Sequence, residues 1–236
     1  MIVRMDHDPL AATRLTRRGA LAMLGAAGAV LAASPAGAAR PPACVLTPAI
    51  EEGPFFVDTR LNRSNLTGGT TDPGVTGGVP LRLALRVYAV RSSTCAPLAD
   101  AHVDLWHASA TGLYSDEAAL HTSREHYLRG YQVAGANGAV TFTTVFPGWY
   151  PDRTPHIHVK VRTYSAARNV THALTSQLYF DEAVTDAVLA REPYSARGPR
   201  DTSNARDGLF DRTMVVALER SGAGYAGSFS LGLRTD

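Results

Sequence analysis

Pro155-His156-Ile157-His158-Val159-Lys160-Val161-Arg162-Thr163-Tyr164 alternates in character from one residue to the next. On a β-strand residues i and i+2 share a face. His156 and His158 therefore point one way, and Ile157, Val159 and Val161 point into an apolar layer on the other. A strand with one buried apolar face needs a second layer to cover it. The same period of two recurs at Leu81, Leu83, Leu85 and Val87, with Arg82 and Arg86 on the opposite face. Further strands are expected at 101–108, 127–133, 139–146, 172–180, 212–219 and 225–233, separated by turn signals such as Ala134-Gly135-Ala136-Asn137-Gly138. Short strands at such spacings predict an all-β sandwich or barrel with long loops and little helix. One helix is expected over Asp181–Glu192, with Asp181 as its cap. Residues 62–80 and 193–208 read as loops, the second exposed.

Two imidazoles on one strand face, about 7 Å apart at the backbone, can converge on a metal. Tyr150 stands six residues before His156 on a turn bounded by Pro147-Gly148 and Pro151, which can swing its phenol back toward the histidines; Arg153 lies between them. No cysteine or acidic cluster accompanies the pair. An imidazole and phenolate set is hard and suits Fe(III) better than structural zinc.

Five stretches, in order, resemble the intradiol ring-cleavage dioxygenases: Glu52-Gly53-Pro54-Phe55-Phe56, Val103-Asp104-Leu105-Trp106-His107, Gly112-Leu113-Tyr114-Ser115, Tyr127-Leu128-Arg129-Gly130-Tyr131-Gln132 and Pro147–His158, with Gln177-Leu178-Tyr179-Phe180 as a sixth. The resemblance covers roughly residues 44–182. It implies a β-sandwich holding Fe(III) with Tyr114, Tyr150, His156 and His158, the Tyr114 and His158 ligands equatorial and the Tyr150 and His156 ligands axial. It also implies that Arg153 stabilises negative charge on the activated substrate and that Gln177 sits near the reacting ring. The substrates implied are a catechol and O2, and the product a cis,cis-muconate. A trivalent cation would hold tyrosine, whose ordinary pKa is near ~10, as phenolate. Tyr150 would leave with one proton of the incoming catechol, as ligand and general base together. The Tyr150-to-His156 segment is shorter than in the cytosolic members, and their helical N-terminal extension has no counterpart, which implies a more open pocket and a different or absent dimer interface.

The N-terminus has its own logic. Arg4, Arg14, Arg17 and Arg18 precede an apolar run, Ala20–Ala33, and the small stretch Ala36-Gly37-Ala38. That order is a secretory signal over residues 1–38, and Thr16-Arg17-Arg18 resembles a twin-arginine type. The apolar run is too short for a bilayer span of roughly 20 residues. An exported protein, periplasmic or secreted, is expected, with one domain over 39–236. Removing the signal's four Arg and two Asp from the chain's 23 basic and 21 acidic residues leaves 19 of each. That neutral balance points away from nucleic acid. Cys44 and Cys95 both lie in the exported part, where a disulfide is expected. Two other classes remain open on the residues alone: a non-catalytic β-sandwich module binding metal, aromatic or sugar ligands, and a zinc or copper hydrolase using the two histidines.

Overall fold

The computed structural model describes residues 45–92 and 94–236; the expected signal segment 1–38 and Cys44 lie outside the described residues. Among the described residues nine strands form two sheets. Strand β1 (Pro80–Arg91) is central to the first sheet. Along one edge it pairs antiparallel with β5 (Ala139–Val145) and then β2 (Thr94–Pro97). Along the other it pairs parallel with β9 (Gly224–Arg234), which carries β8 (Ala217–Ser221) outside it. The second sheet is antiparallel in the order β4 (Arg129–Val133), β3 (His102–Trp106), β6 (Ile157–Tyr164), β7 (Val170–Leu178).

The period-two pattern explains how the sheets meet. Leu81, Leu83, Leu85 and Val87 are buried, while Arg82 and Arg86 face water. They pack against Val103, Leu105, Ile157, Val159, Val161, Leu174 and Leu178 of the second sheet in one apolar cluster. Each such side chain gains roughly 1.5–3 kcal/mol on leaving water, so a one-residue register slip in either sheet is heavily disfavoured. Helix α2 (Glu182–Leu189) closes over the edge, with Asp181 accepting from the amides of Ala183 (2.9 Å) and Val184 (3.3 Å).

The structure differs from the sequence reading at four places. Strand β2 is short and largely exposed, so no alternation marks it. Residues 212–214 form a 3-10 turn rather than the start of β8, and the loop over 62–80 contains a one-turn helix, α1 (Pro73–Thr76). The segment 193–208 is not simply exposed: Tyr194, Thr202, Asn204 and Asp207 are buried in it. Tyr194, Asn204 and Asp207 find hydrogen-bond partners at Phe146, Arg153 and Thr154 in the loop that precedes β6, which is why a polar composition ends up inside. Cys95 on β2 is disulfide-bonded. No described helix is long and apolar enough to cross a membrane.

Candidate metal centre

The outward face of the second sheet carries a row of side chains in register at one end. Arg129 of β4 opposes Trp106 of β3, Trp106 opposes His158 of β6, and His158 opposes Gln177 of β7. Three long connections leave the sheets at this end: 107–128, 146–156 and 179–216. They supply the rest of the site except Phe55 and Phe56, which come from the segment before β1. Trp106 stacks on the His158 ring (centroids 4.7 Å, 13° between planes), fixing its orientation from below.

The first two connections touch through glycines. Gly148 lies against Ser109 and Ala110, whose carbonyl oxygens would both stand 2.5 Å from an added Cβ; Gly112, at φ 79°, abuts the Trp149 carbonyl. Any side chain at either position would part the loops. Their contact brings Tyr114 and Tyr150 together, rings 5.6 Å apart and nearly perpendicular. Phe55 stacks on Tyr114 at 4.3 Å. Arg129, itself buried, donates to Ser115 and to the Phe55 carbonyl, so it braces the residue after Tyr114 and the aromatic wall beside it. A tight turn with Asp152 at φ 66°, closed by the Arg153 amide donating to the Tyr150 carbonyl (3.2 Å), folds Tyr150 back over His156.

The four expected ligands converge. His156 Nε2 and His158 Nε2 are 3.1 Å apart, and the Tyr150 hydroxyl is 3.1 Å from His156 Nε2. His156 Nδ1 donates to the Thr154 carbonyl at 2.7 Å, which fixes the tautomer and leaves Nε2 with a lone pair. That single lone pair has two polar neighbours. The Tyr114 hydroxyl is buried with no hydrogen bond of normal geometry, although it interacts with Tyr150, and His158 Nδ1 is buried without a partner. Hydrogen bonding alone therefore leaves the cluster unsatisfied, which buried polar groups seldom are.

A cation fits the donors. Two imidazole nitrogens bound at roughly 2.0–2.1 Å and at a right angle would stand about 3 Å apart, close to the separation observed. The Tyr150 and His156 pair differs from its expected axial arrangement, because these atoms share a hydrogen bond; ligands on opposite sides of an ion would stand roughly 4 Å apart. Burial drives both histidines to the neutral form that ligates metal, His156 down to about 3 and His158 well below its usual value, with Arg153 adding to both and His156 adding to His158. Burial also pushes both phenols up, Tyr114 well above its ordinary value, while Arg153 acts against that rise at Tyr150. Without a strong cation both stay protonated. Among the described residues no group of three His, Cys, Asp or Glu side chains gathers, and the further donors beside the two histidines are the phenols of Tyr114 and Tyr150.

Arg153 and Gln177 meet beside the ligands. Arg153 Nη2 donates to Gln177 Oε1 and lies 3.4 Å from the Tyr179 hydroxyl, which is itself 2.7 Å from Gln177 Oε1. Asp207, missed by sequence reasoning, takes Arg153 Nε at 2.9 Å and the Thr154 amide at 3.0 Å. It lies 54 residues after Arg153 in an Arg-Asp-Gly turn, and no local signal distinguishes it from any other turn aspartate. Trp149 donates to the Gly198 carbonyl at 3.2 Å and stacks under Arg197, so it joins the connections rather than touching the ligands. His107 is buried between Ala108 and Thr144 and holds loop to sheet.

Three buried neutral histidines set an acid limit. His107 is depressed to about 4 by burial, His156 to about 3 and His158 further. The unfolded chain binds these protons near pH 6.5 and the folded protein does not. Stability of the metal-free protein is therefore full above that pH and declines as pH falls from 6.5 toward 4. Each histidine costs up to about 1.4 kcal/mol per pH unit in that window. Urea midpoints measured at pH 7, 6 and 5 should drop progressively; a flat profile would contradict the buried neutral state.

A family model described as Dioxygenase matches residues 51–217. No curated protein sequence matches the chain. An intradiol ring-cleavage dioxygenase from Tetranychus urticae is 30% identical, covering 81% of this chain and 95% of its own, with a TM-score of 0.69. The dioxygenase domain of a dioxygenase and carbohydrate-binding protein fusion from Streptomyces sp. SirexAA-E is 31% identical, covering 81% and 100%, with a TM-score of 0.59. A 3-chlorocatechol 1,2-dioxygenase from Rhodococcus opacus 1CP, at 20% identity, 80% and 73% coverage and a TM-score of 0.57, shares the fold.

Proposed function

The chain belongs to the intradiol ring-cleavage dioxygenase family, and from that premise we propose that it opens a catecholic ring with O2 at a ferric ion held by Tyr114, Tyr150, His156 and His158, giving a cis,cis-muconate-type product. The observation that carries this reading is the buried meeting of two neutral imidazoles and two phenols, with the Tyr114 hydroxyl turned to Tyr150 and no hydrogen bond of normal geometry to satisfy it. What a ferric ion supplies at that place is Lewis acidity, which favours the catechol dianion and makes its ring electron-poor enough to react with O2.

The protein's own part is to orient, to move protons and to stabilise charge. Tyr150 Oη is the group placed to accept a catechol proton, because it is the more exposed phenol and is already hydrogen-bonded within the cluster. His156 keeps its Nδ1 proton on the Thr154 carbonyl and so never presents N–H to the centre. Tyr114, wholly buried under Phe55, is the fixed ligand of the pair. Arg153 supplies a positive charge where negative charge builds on the ring during attack between its two oxygenated carbons. Gln177 holds the inner edge of that guanidinium. Phe55, Phe56 and Trp106 wall the cluster on its sheet side and keep water from it. The resemblance of residues 1–38 to a twin-arginine-type signal supports a reading in which this chemistry runs outside the cytoplasm.

Oxygen uptake with catechol, followed with product spectra, tests the proposal. One O2 should be consumed per ring, with the absorbance of a conjugated diene diacid appearing. No uptake with any catechol by iron-loaded protein would leave only a binding module.

A further inference from the structure

We propose that Asp207 is a positioning residue for ring cleavage, holding Arg153 in the one orientation that serves the reacting ring; the inference rests on the catalytic reading above. Asp207 has no exposed side-chain surface, and its Oδ2 faces the site. Oδ2 accepts from Arg153 Nε (2.9 Å) and from the Thr154 amide (3.0 Å), and Oδ1 accepts from the Leu209 amide (2.9 Å). The carboxylate is thus fixed on both oxygens before it meets the arginine.

A guanidinium is a rigid planar fork. Asp207 fixes its Nε and the Gln177–Tyr179 pair engages Nη2, so the plane has no freedom left. Neither Asp207 nor the Gln177–Tyr179 pair takes Nη1, and the cation interacts with Tyr150 in the sense that favours its phenolate. A buried arginine without a counter-ion would be expelled or would turn toward whatever carboxylate it could reach. Asp207 removes that alternative by holding the charge on the side away from the cluster. The segment carrying it is clamped in turn: Asn204 accepts from Thr154 Oγ1 (2.8 Å) and donates to the Phe180 carbonyl (2.8 Å). The stretch that reads as loose polar loop is therefore a brace behind Arg153.

One complication sharpens the test. Thr154 joins Asp207, through its amide, to His156, through its carbonyl. Asp207 could then matter through either the arginine or the ligand. The proposal commits to the arginine. Asp207→Asn is expected to retain iron and its visible band, keep KM within about threefold and lower kcat roughly a hundredfold, the scale of a misplaced catalytic group. In an Arg153→Gln background the same change should alter kcat by less than about twofold. Loss of iron from Asp207→Asn, or equal losses of kcat in both backgrounds, would overturn the proposal. A second measurement needs no Asp207 variant. In metal-free wild-type protein the Arg153 Nε–H resonance, assigned by its absence in Arg153→Gln, should be protected from hydrogen exchange. An Nε–H that exchanges like those of exposed arginines would overturn the proposal too. If iron-loaded wild type takes up no O2, the catalytic reading fails, while this resonance still decides whether Asp207 holds Arg153.

Discussion

Tyr150→Phe should lower the rate of ring cleavage by roughly two to four orders of magnitude, the usual contribution of a positioned proton-transfer group, while the protein stays folded. The change removes one oxygen. That oxygen is 3.1 Å from His156 Nε2, also interacts with Tyr114 and Arg153, and lies at the half-buried rim of the cluster rather than in the main core. Losing it costs the fold only on the order of 1 kcal/mol, the net worth of an ordinary hydrogen bond. The Phe ring keeps the edge contacts with Tyr114 and Phe55. Catalysis loses more, because no other described side chain at that position can take the first catechol proton. Steady-state O2 uptake beside a thermal melt separates the two effects. Unchanged turnover in Tyr150→Phe would remove Tyr150 from the mechanism.

His158→Ala should have the larger effect on metal. His158 stands at the end of β6, pinned by Trp106 below, with its Nε2 facing His156. Its ring carries no other described hydrogen bond, so its place in the protein is explained by what it faces. Losing even an outer partner of a ligand typically weakens metal binding ten- to a hundredfold; losing the ligand itself should exceed that range. Iron content after dialysis should fall to background, and activity with it. The truncation also leaves a gap above Trp106, so some destabilisation is expected as well, in the range of a few kcal/mol. Retention of stoichiometric iron in His158→Ala would show that the metal sits elsewhere.

Much of this was legible in the chain. The alternation at Leu81–Val87 and His156–Val161 specified both sheets, because burial of one face leaves a strand no freedom of register. The resemblance brought Tyr114 into a site whose other members lie 36 to 44 residues further on, which spacing alone could not do. What stayed hidden is instructive in kind. Trp106 stacks on His158 only because β3 and β6 pair in one register, a tertiary fact. Asp207 became visible only when the 198–211 segment folded back on Thr154. Polar residues in turns look alike until their partners are known. The reading of 193–208 as exposed failed for the same reason: composition reports what a segment carries, not what it is pressed against.

The visible spectrum of the iron-loaded protein, recorded before and after anaerobic addition of catechol, tests the central claim most directly. Coordination by Tyr114 and Tyr150 predicts a red to burgundy protein, from phenolate-to-iron charge transfer, whose band moves when catechol binds. A colourless protein that nevertheless holds one ferric ion would contradict it.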